Sequence, residues 1–478
     1  MRIGQTSFVL FTSKVLSSAA GFVATIFFAR LLGAEVLGSY YLFLSIVAWL
    51  SLAGSIGIGS AITKRVSEGS DRGEYKLAGG AIICSMGIAI IGGLLVFNDI
   101  VAARFGIERI DFIVFLLAVG LLGSYVDAML RGEHLVHVEA VLKVSRRVAR
   151  TALQIGGVLV GFKLAALVGG YALGGLVLVV IGFYVVGGPY RLPDRHHFER
   201  LYEYARYAWI GQIEGKTFQQ ADIVILGLFT SSSLVGVYGI TWNVANFLII
   251  FSSSISGTLF PEFSKLSEKN RQEQVATLVE DSLTYAGLVT IPGLVGGLLL
   301  SDWILQMYGE EFVQGTKVLG LLILSVLFYG YQTQFANALG GIDLPKEAFK
   351  INAILIGTNL FLNIVLVYLY GIIGAAVASA TSTLLGTIGG YFVTRRHISV
   401  SIPTEQIGRQ ILSALGMGVI VLLGEFLIGR YGTALPLELS VVLLIGLGAI
   451  SYVLLLGLIS PVFRSLVSDN VPMLVSNW

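Results

Sequence analysis

Long apolar segments recur along the whole of this 478-residue chain. About 14 of them are long enough to cross about 30 Å of hydrocarbon at about 1.5 Å per helical residue. Charged residues make up 13% of the chain, whereas a soluble globular domain contains about 25%. A soluble enzyme, a nucleic-acid-binding protein and a disordered protein are therefore excluded. The predicted spans are residues 7–31, 37–59, 77–97, 112–130, 148–161, 164–186, 207–229, 234–259, 283–300, 316–339, 349–370, 372–393, 411–428 and 437–459.

These spans are predicted to be helices, because an open sheet edge cannot be satisfied in lipid and the segments lack the alternation of a membrane barrel. The fold class is therefore all-α, a polytopic membrane protein with about 14 transmembrane helices. The first span is too long for a signal peptide and contains Lys14, so we expect it to be retained. The fifth span is short unless Arg146, Arg147 and Arg150 extend to the interface. Without it, every later orientation is reversed.

The distribution of cations predicts the orientation of the chain. Of the 31 Lys and Arg residues, only Arg104, Arg109, Lys163 and Arg430 lie in the loops on one side of the spans. Because cytoplasmic loops are rich in Lys and Arg, the opposite side, with both termini, is predicted to be cytoplasmic. We expect a multi-pass protein of the cell (plasma) membrane. The outside loops are too short to hold an extracellular domain.

Two segments that open helix pairs resemble each other. Residues 31–40 run from Leu-Leu-Gly to Gly-Ser-Tyr and residues 228–238 from Leu-Phe-Thr to Gly-Val-Tyr, so that Gly38 and Gly236 are equivalent. A looser similarity relates 165–168 to 374–377. Six helices separate the copies, so the two halves should share one topology about an axis along the membrane normal. The predicted organisation is a six-helix lobe at 1–187, a cytoplasmic linker at 188–206, a second six-helix lobe at 207–394, and two additional helices with a cytoplasmic tail at 395–478.

No catalytic motif is evident in the sequence. Gly215, Lys216 and Thr217 resemble the end of a phosphate-binding loop, but the earlier glycine is missing at the required spacing and no strand precedes them. The five histidines fall in predicted cytoplasmic loops, where we expect them to be solvated, and the single cysteine has no partner. We therefore expect no catalytic residue, no metal site, no cofactor and no enzymatic activity. The net charge of +2 offers no bulk attraction for nucleic acid.

Polar residues inside the spans are the candidates for function, because an ionisable group in lipid is costly and usually faces a bundle interior or a water-filled cavity. In the first helix Lys14 shares one face with Ser18, Gly21 and Thr25. The seventh helix has a similar face, formed by Gln212, Lys216, Gln219 and Gln220. Each half of the chain therefore begins with a helix that carries a lysine on a polar face.

The eleventh helix carries Asn352, Asn359 and Asn363 on one face. Their amides could bind sugar hydroxyls or join neighbouring helices. Near the ends of spans, long cations such as Arg30 and Arg150 commonly extend to the interface. Arg30 is nevertheless kept as a candidate substrate-binding residue.

The acidic residues within spans have several possible roles. They could neutralise the lysines, bind a coupling cation or relay protons, and the sequence does not separate these roles. They are Asp127, Glu214, Asp222 and Glu425. Glu425 lies outside the repeated core and is the weakest candidate.

Several motifs occur in a characteristic order along the later helices. They are Ala221-Asp222, Leu226-Gly227, Val235-Gly236-Val237-Tyr238, Leu259-Phe260-Pro261, Met307-Tyr308-Gly309-Glu310-Glu311-Phe312, Asn352, Asn359, Leu362-Asn363, and Gly371 followed by Gly374-Ala375-Ala376. Together they resemble the polysaccharide (O-antigen type) flippases of the multidrug/oligosaccharidyl-lipid/polysaccharide exporter superfamily. The resemblance covers nearly the whole chain.

The resemblance implies two six-helix lobes around a cavity that opens to either side in turn. The implied cargo is an oligosaccharide or sugar on a polyprenyl phosphate or diphosphate, moved from the cytoplasmic to the outer leaflet for glycan assembly. Membrane lipid, glycan-assembly enzymes and a coupling cation (Na⁺ or H⁺) are the implied partners. Lys14 and Lys216 would hold the phosphate, although relatives often carry arginines there. The asparagine face and the hydroxyls of the twelfth helix would contact sugar; the latter are Ser379, Thr381, Ser382 and Thr383.

Two other classes of function compete with this hypothesis. The first is a cation-coupled exporter of drugs or small molecules from the same superfamily, driven through Asp127 or Asp222. Such proteins usually have twelve spans, which argues against it. The second is a membrane glycosyltransferase or polysaccharide polymerase, and the short outside loops oppose it.

Overall fold

The computed structural model describes residues 3–55, 57–107, 109–188, 191–208, 210–249, 272–431 and 435–465, together with the single positions 259, 263, 265 and 266. Helices and their connecting turns account for these residues, and no β-strand occurs among them. The prediction of an all-α polytopic membrane protein is therefore confirmed.

The helices follow one another with short connections. In chain order they are α1 (Ile3–Ser55), α2 (Ile58–Ser67), α3 (Arg72–Val96), α4 (Asn98–Phe105), α5 (Ile110–Gly132), α6 (Val136–Leu159), α7 (Lys163–Val186), α8 (Arg195–Ala208), α9 (Ile210–Phe229), α10 (Ser232–Asn246), α11 (Gln272–Leu299), α12 (Ser301–Gln306), α13 (Thr316–Gly341), α14 (Pro345–Arg395), α15 (Thr404–Tyr431) and α16 (Leu437–Ile459). A 3₁₀ helix at Glu310–Gly315 leads into α13.

Two of the helices are too long for one membrane crossing. A straight α14 of 51 residues would extend about 75 Å, more than twice the hydrocarbon thickness. It is interrupted at Gly371 (φ 56°, ψ −133°), and α1 is interrupted at Gly33 (φ 77°, ψ 173°). Positive φ is a conformation that glycine adopts without penalty. Each of these helices therefore supplies two of the predicted spans.

Nine helices of the described part are long and apolar enough to cross a membrane, α1 and α14 among them. The fifth, seventh and eighth predicted spans fall on α6, α9 and α10. Polar residues lower the hydropathy of α6 and α9, and α10 has only 15 residues. Helix α6, which corresponds to the fifth predicted span, begins at Val136 rather than at residue 148. The predicted span was short because Lys143, Arg146 and Arg147 obscured the first half of a helix that is long enough to cross.

Contacts divide the chain into two compact units. The first unit comprises Met1–Ala20, Ile240–Leu362 and Ile373–Trp478, and the second comprises Gly21–Gly239 and Asn363–Ile372. In the first unit α11 packs against α13 and α15, and α15 pairs with α16. In the second unit α5 packs against α2, α3 and α7, and α6 pairs with α7. The lobe boundaries predicted from the sequence remain a prediction.

Large apolar side chains cover the outer faces of several spans. Only 28% of the most apolar stretch of α15, and the same share in α16, is buried within the protein. Exposed residues there include Leu412, Leu423 and Leu458. Spans that expose so many large apolar side chains are suited to lipid rather than water.

Candidate functional site

The lysine-bearing faces predicted on the first and seventh helices are only partly described. Lys14 lies on α1, and Gln212 and Glu214 lie on α9, but their side chains are outside the described residues. Lys216 is half-buried and Gln219 is exposed. Next to Gln219, Gln220 accepts a hydrogen bond from the Ser45 hydroxyl at 2.6 Å. Arg30 lies exposed on α1, three residues before the bend at Gly33.

Asp222 is buried on α9 and is held by two donors. The Tyr238 hydroxyl of α10 donates to Oδ2, and Asn363 Nδ2 of α14 donates to Oδ1 at 2.8 Å. A carboxylate at membrane depth is costly unless donors replace its water. The carboxylate therefore joins α9, α10 and the part of α14 that belongs to the second unit. The motif residues Asp222, Tyr238 and Asn363 prove to be neighbours.

The three asparagines of α14 have different surroundings. Asn359 is fully buried, and its Nδ2 contacts the hydroxyls of Ser379 and Ser382 at 3.2 and 3.3 Å. Asn363 contacts Asp222, as described above. Asn352 is half-buried and accepts a long hydrogen bond of 3.4 Å from Gln332. The contacts of Asn359 and Asn363 are those of residues that join helices, while Asn352 is the more accessible amide.

Asp127 belongs to a charged cluster that joins the C-terminal end of α5 to α6. Lys143 Nζ lies 3.9 Å from its Oδ2 and 2.5 Å from Oε1 of Glu139. Arg131 Nε lies 3.2 Å from the same Glu139 oxygen. The Oδ1 atom of Asp127 is buried and has no hydrogen-bond partner within the described part of the chain. Glu425, the fourth acidic candidate, accepts a hydrogen bond from Trp303 Nε1 at 2.9 Å.

A second charged cluster, which the sequence did not reveal, lies where α3 begins. Lys76 is 2% exposed and its Nζ lies 2.6 Å from Glu133 Oε1. Arg72 lies 3.0 Å from the other oxygen of Glu133. These residues line a cavity of about 440 Å³ together with Asp71 and Arg191. Lys76 falls at the edge of a predicted span and is indistinguishable in the sequence from a solvated loop cation.

His197 does not behave as the solvated loop residue that we predicted. It is 3% exposed, and its ring packs edge-on against Tyr75 with centroids 4.9 Å apart. Its packing is possible because α8 folds onto α2 and α3. Among the described residues, Asp71, His196 and His197 present ligand atoms within 4.8 Å of one another. Two imidazoles and a carboxylate suit a divalent transition metal.

The two copies of the repeated segment contact each other in the second unit. A Cβ atom on Gly38 would overlap the Ser232 carbonyl, and one on Gly236 would overlap the Ala34 carbonyl. Ala34 and Ser232 each precede the glycine of their own copy by four residues. The contact is therefore reciprocal, and small residues at this spacing let helices approach closely in membranes. This reciprocity supports a duplication.

An all-helical fold whose spans carry apolar outer faces defines a polytopic membrane protein. Residues 3–267 match the model of the polysaccharide biosynthesis protein family, and residues 148–442 match that of the lipid II flippase MurJ. The chain therefore belongs to the polysaccharide biosynthesis protein family of the multidrug/oligosaccharidyl-lipid/polysaccharide exporter superfamily. The resemblance inferred from the motifs is confirmed.

Two relatives and two solved structures match 80% or more of the chain. The probable flippase AglR of Haloferax volcanii is 29% identical over 98% of both chains. The probable low-salt glycan biosynthesis flippase Agl15 of the same organism is 27% identical over 90% of this chain and 91% of its own. A structure of the lipid II flippase MurJ in an inward closed conformation has a TM-score of 0.77 at 17% identity, over 96% of this chain and 100% of that one. A MATE-family multidrug transporter has a TM-score of 0.65 at 15% identity, over 80% of this chain and 94% of its own.

Proposed function

We propose that this protein is a flippase that turns a polyprenyl-(di)phosphate-linked oligosaccharide or sugar from the cytoplasmic to the outer leaflet by alternating access. The observation that carries the proposal is the similarity to AglR, which spans 98% of both chains. Two chains that align over their whole length have the same fold, spans and loops. A common type of cargo is therefore the simplest interpretation. The names of both Haloferax relatives are those of flippases rather than enzymes.

The chemistry of the cargo fits the polar residues within the spans. A sugar phosphate cannot cross hydrocarbon unaided, because it needs cations for its phosphate and hydrogen-bonding groups for its hydroxyls. Lys14 and Lys216 are the proposed phosphate contacts, and Arg30, Gln212 and Gln219 are further candidate substrate contacts on the same two helices. Asn352 is the proposed sugar contact on α14, because its amide is half-buried rather than enclosed.

Asp222 is the proposed site for charge balance or a coupling cation, with Asp127 and Glu214 as the other acidic candidates. Its two oxygens accept hydrogen bonds from the Tyr238 hydroxyl and the Asn363 amide, which stabilise the charged carboxylate within the membrane. A coupling cation would replace one of these donors. The proposed location is the plasma membrane with both termini cytoplasmic, because the Lys and Arg residues are concentrated on that side. Glycan-assembly enzymes are the proposed partners on either side of the transport step.

Gene replacement provides the first test of this function. Expression of the chain in a Haloferax volcanii strain that lacks Agl15 is expected to restore the low-salt glycan, whereas a variant with Lys14→Ala and Lys216→Ala is expected to insert normally and restore nothing. Restoration of the glycan by the double variant would show that Lys14 and Lys216 are not the phosphate contacts. Resistance to cationic drugs without any glycan would instead favour the small-molecule exporter.

A further inference from the structure

His197, in the first turn of α8, is a buried histidine whose Nε2 atom faces a carboxylate. The residue is 3% exposed, and Asp71 Oδ2 lies 3.9 Å from Nε2, which is too far for a hydrogen bond. Among the residues that the structure describes, this buried nitrogen has no hydrogen-bond partner. A buried polar atom without a partner is costly, and a metal ion satisfies an imidazole nitrogen of this kind.

The ring of His197 is held in place from two sides. It packs edge-on against Tyr75, whose hydroxyl accepts a long hydrogen bond of 3.4 Å from Arg200 of α8. On the other side, Nδ1 lies 3.0 Å from the backbone nitrogen of Asp194 and 3.3 Å from its carbonyl oxygen. A histidine that binds a metal through one nitrogen usually donates the proton of the other to a carbonyl or carboxylate oxygen. The Asp194 carbonyl is within reach of Nδ1 for this purpose, so the ring can present Nε2 to an ion.

Asp71 and His196 supply two further donor atoms beside Nε2. The three residues present one ligand atom each, and these atoms lie within 4.8 Å of one another. Asp71 directly precedes α3, yet its side chain makes no capping hydrogen bond to that helix, which is the usual role of an aspartate there. The His196 ring lies against that of His197, with centroids 3.8 Å apart. Both Asp71 and His196 are exposed, so their side chains are free to turn toward one ion at about 2.0–2.2 Å.

We infer that Asp71, His196 and His197 bind one divalent transition-metal ion, and that Zn²⁺ is the ion they fit best. Two imidazole nitrogens and one carboxylate oxygen leave a fourth tetrahedral position for water, a ligand set that Zn²⁺ accepts. Mg²⁺ and Ca²⁺ prefer sites built from oxygen and should not bind here. The sequence predicted solvated histidines and no metal site, because the folding of α8 onto α2 and α3 is not evident in it.

A bound ion would join α8 to the turn between α2 and α3. Asp71 lies in that turn, and both histidines lie in the first turn of α8. Helix α8 leads directly into α9, which begins at Ile210. The ion would therefore fix the start of the segment that precedes the second predicted lobe. This role does not depend on the cargo that the protein carries.

Zinc binding to the full-length protein in detergent tests the inference. The protein is purified without a histidine tag and freed of metal with a chelator before dialysis against Zn²⁺ or Mg²⁺. We expect the wild-type protein to bind Zn²⁺, and Zn²⁺ but not Mg²⁺ to raise its melting temperature. Asp71→Asn and His196→Ala should each weaken Zn²⁺ binding at least about 10-fold, because loss of even an outer-shell partner of a ligand costs about 10–100-fold. The matched control is His137→Ala, an exposed histidine on α6 that should bind as the wild type does.

Two results of the binding experiment would overturn the site. One is a wild-type protein that binds no Zn²⁺. The other is Zn²⁺ binding that is as tight in Asp71→Asn and His196→Ala as in His137→Ala. Both informative variants change exposed side chains, so they keep the packing of His197 against Tyr75 and should fold.

Hydrogen exchange tests the connection between α8 and the α2–α3 turn in the unmodified protein. Zn²⁺ should slow the exchange of backbone amides in residues 68–75 and in α8. Exchange in α4, which follows the opposite end of α3, should stay as it was without Zn²⁺. Exchange that Zn²⁺ leaves unchanged in either the turn or α8 would contradict an ion bound between them.

Discussion

Gly38 and Gly236 meet backbone to backbone, although 198 positions separate them in the chain. A Cβ on Gly38 would lie 2.8 Å from the Gly236 nitrogen, and one on Gly236 would lie 3.0 Å from the Gly38 nitrogen. The two residues occupy equivalent positions in the repeated segment, so the two copies of the segment pack directly against each other. The absence of both side chains is what lets the two helices approach.

Alanine at either glycine should destabilise this contact. The facing atoms are backbone carbonyls, which cannot move aside without shifting a helix, and such overpacking costs about 1–3 kcal/mol. Thermal unfolding in detergent measures the effect for Gly38→Ala and Gly236→Ala. Gly92→Ala on α3 is the control, because a Cβ there meets nothing within 4 Å. Equal stability of all three variants would show that the helices do not approach this closely.

Removal of either donor to Asp222 should lower stability. Tyr238→Phe and Asn363→Ala each delete a hydrogen bond to a buried carboxylate, for which we expect a loss of about 1.5–3 kcal/mol. The two losses should not add in the double variant, because both act on the same acceptor. Strict additivity in unfolding measurements would argue that the two residues act independently of Asp222.

The dependence of the melting temperature on Na⁺ or on pH should be due to the carboxylate of Asp222. If Asp222 binds the coupling cation, Na⁺ or a change of pH should alter the melting temperature of the wild-type protein and leave that of Asp222→Asn unchanged. Asp127→Asn is the comparison, because Asp127 lies in a different cluster. An undiminished response in Asp222→Asn would assign the coupling cation to another site.

Glu133→Gln should be the most disruptive change at the start of α3. It leaves the ammonium of Lys76, which is 2% exposed, without its carboxylate partner, and an unpaired polar group at a buried position costs about 1–3 kcal/mol. Addition of Lys76→Met should recover part of the stability, because no charge is then left buried. The exposed pair of Arg195 and Glu199 is the control, and Glu199→Gln should cost no more than about 1 kcal/mol. Similar unfolding for both glutamate variants would contradict the burial of Lys76.

The asparagines of α14 should separate into structural and transport roles. Asn359→Ala loses its contacts with the hydroxyls of Ser379 and Ser382 and should cost about 0.6–2 kcal/mol of stability. Asn352→Ala should leave unfolding nearly unchanged and slow the transport of a sugar-bearing carrier more than that of the bare lipid phosphate. Equal transport of both lipids by Asn352→Ala would show that Asn352 does not contact the sugar.

The spans could be predicted from the sequence because hydrocarbon imposes a length and a composition on each helix. The bends at Gly33 and Gly371 fell between predicted spans for the same reason. Partners at long range could not be predicted, since Asn363 and Asp222 lie 141 positions apart and hydropathy contains no information on pairing. The depth of Arg150 could not be predicted, because hydropathy treats the charged first half of α6 as loop, whereas the backbone of Arg150 packs against Gly174 near the centre of α7.

Reconstitution into vesicles tests the central claim most directly. A fluorescent polyprenyl-diphosphate oligosaccharide is placed in both leaflets, and a membrane-impermeant reductant bleaches whatever reaches the outer one. Vesicles with the purified wild-type protein should lose the inner-leaflet signal as well, whereas protein-free vesicles should keep it. A well-folded protein that leaves the inner-leaflet signal equal to that of protein-free vesicles, with and without a Na⁺ or pH gradient, would contradict the account.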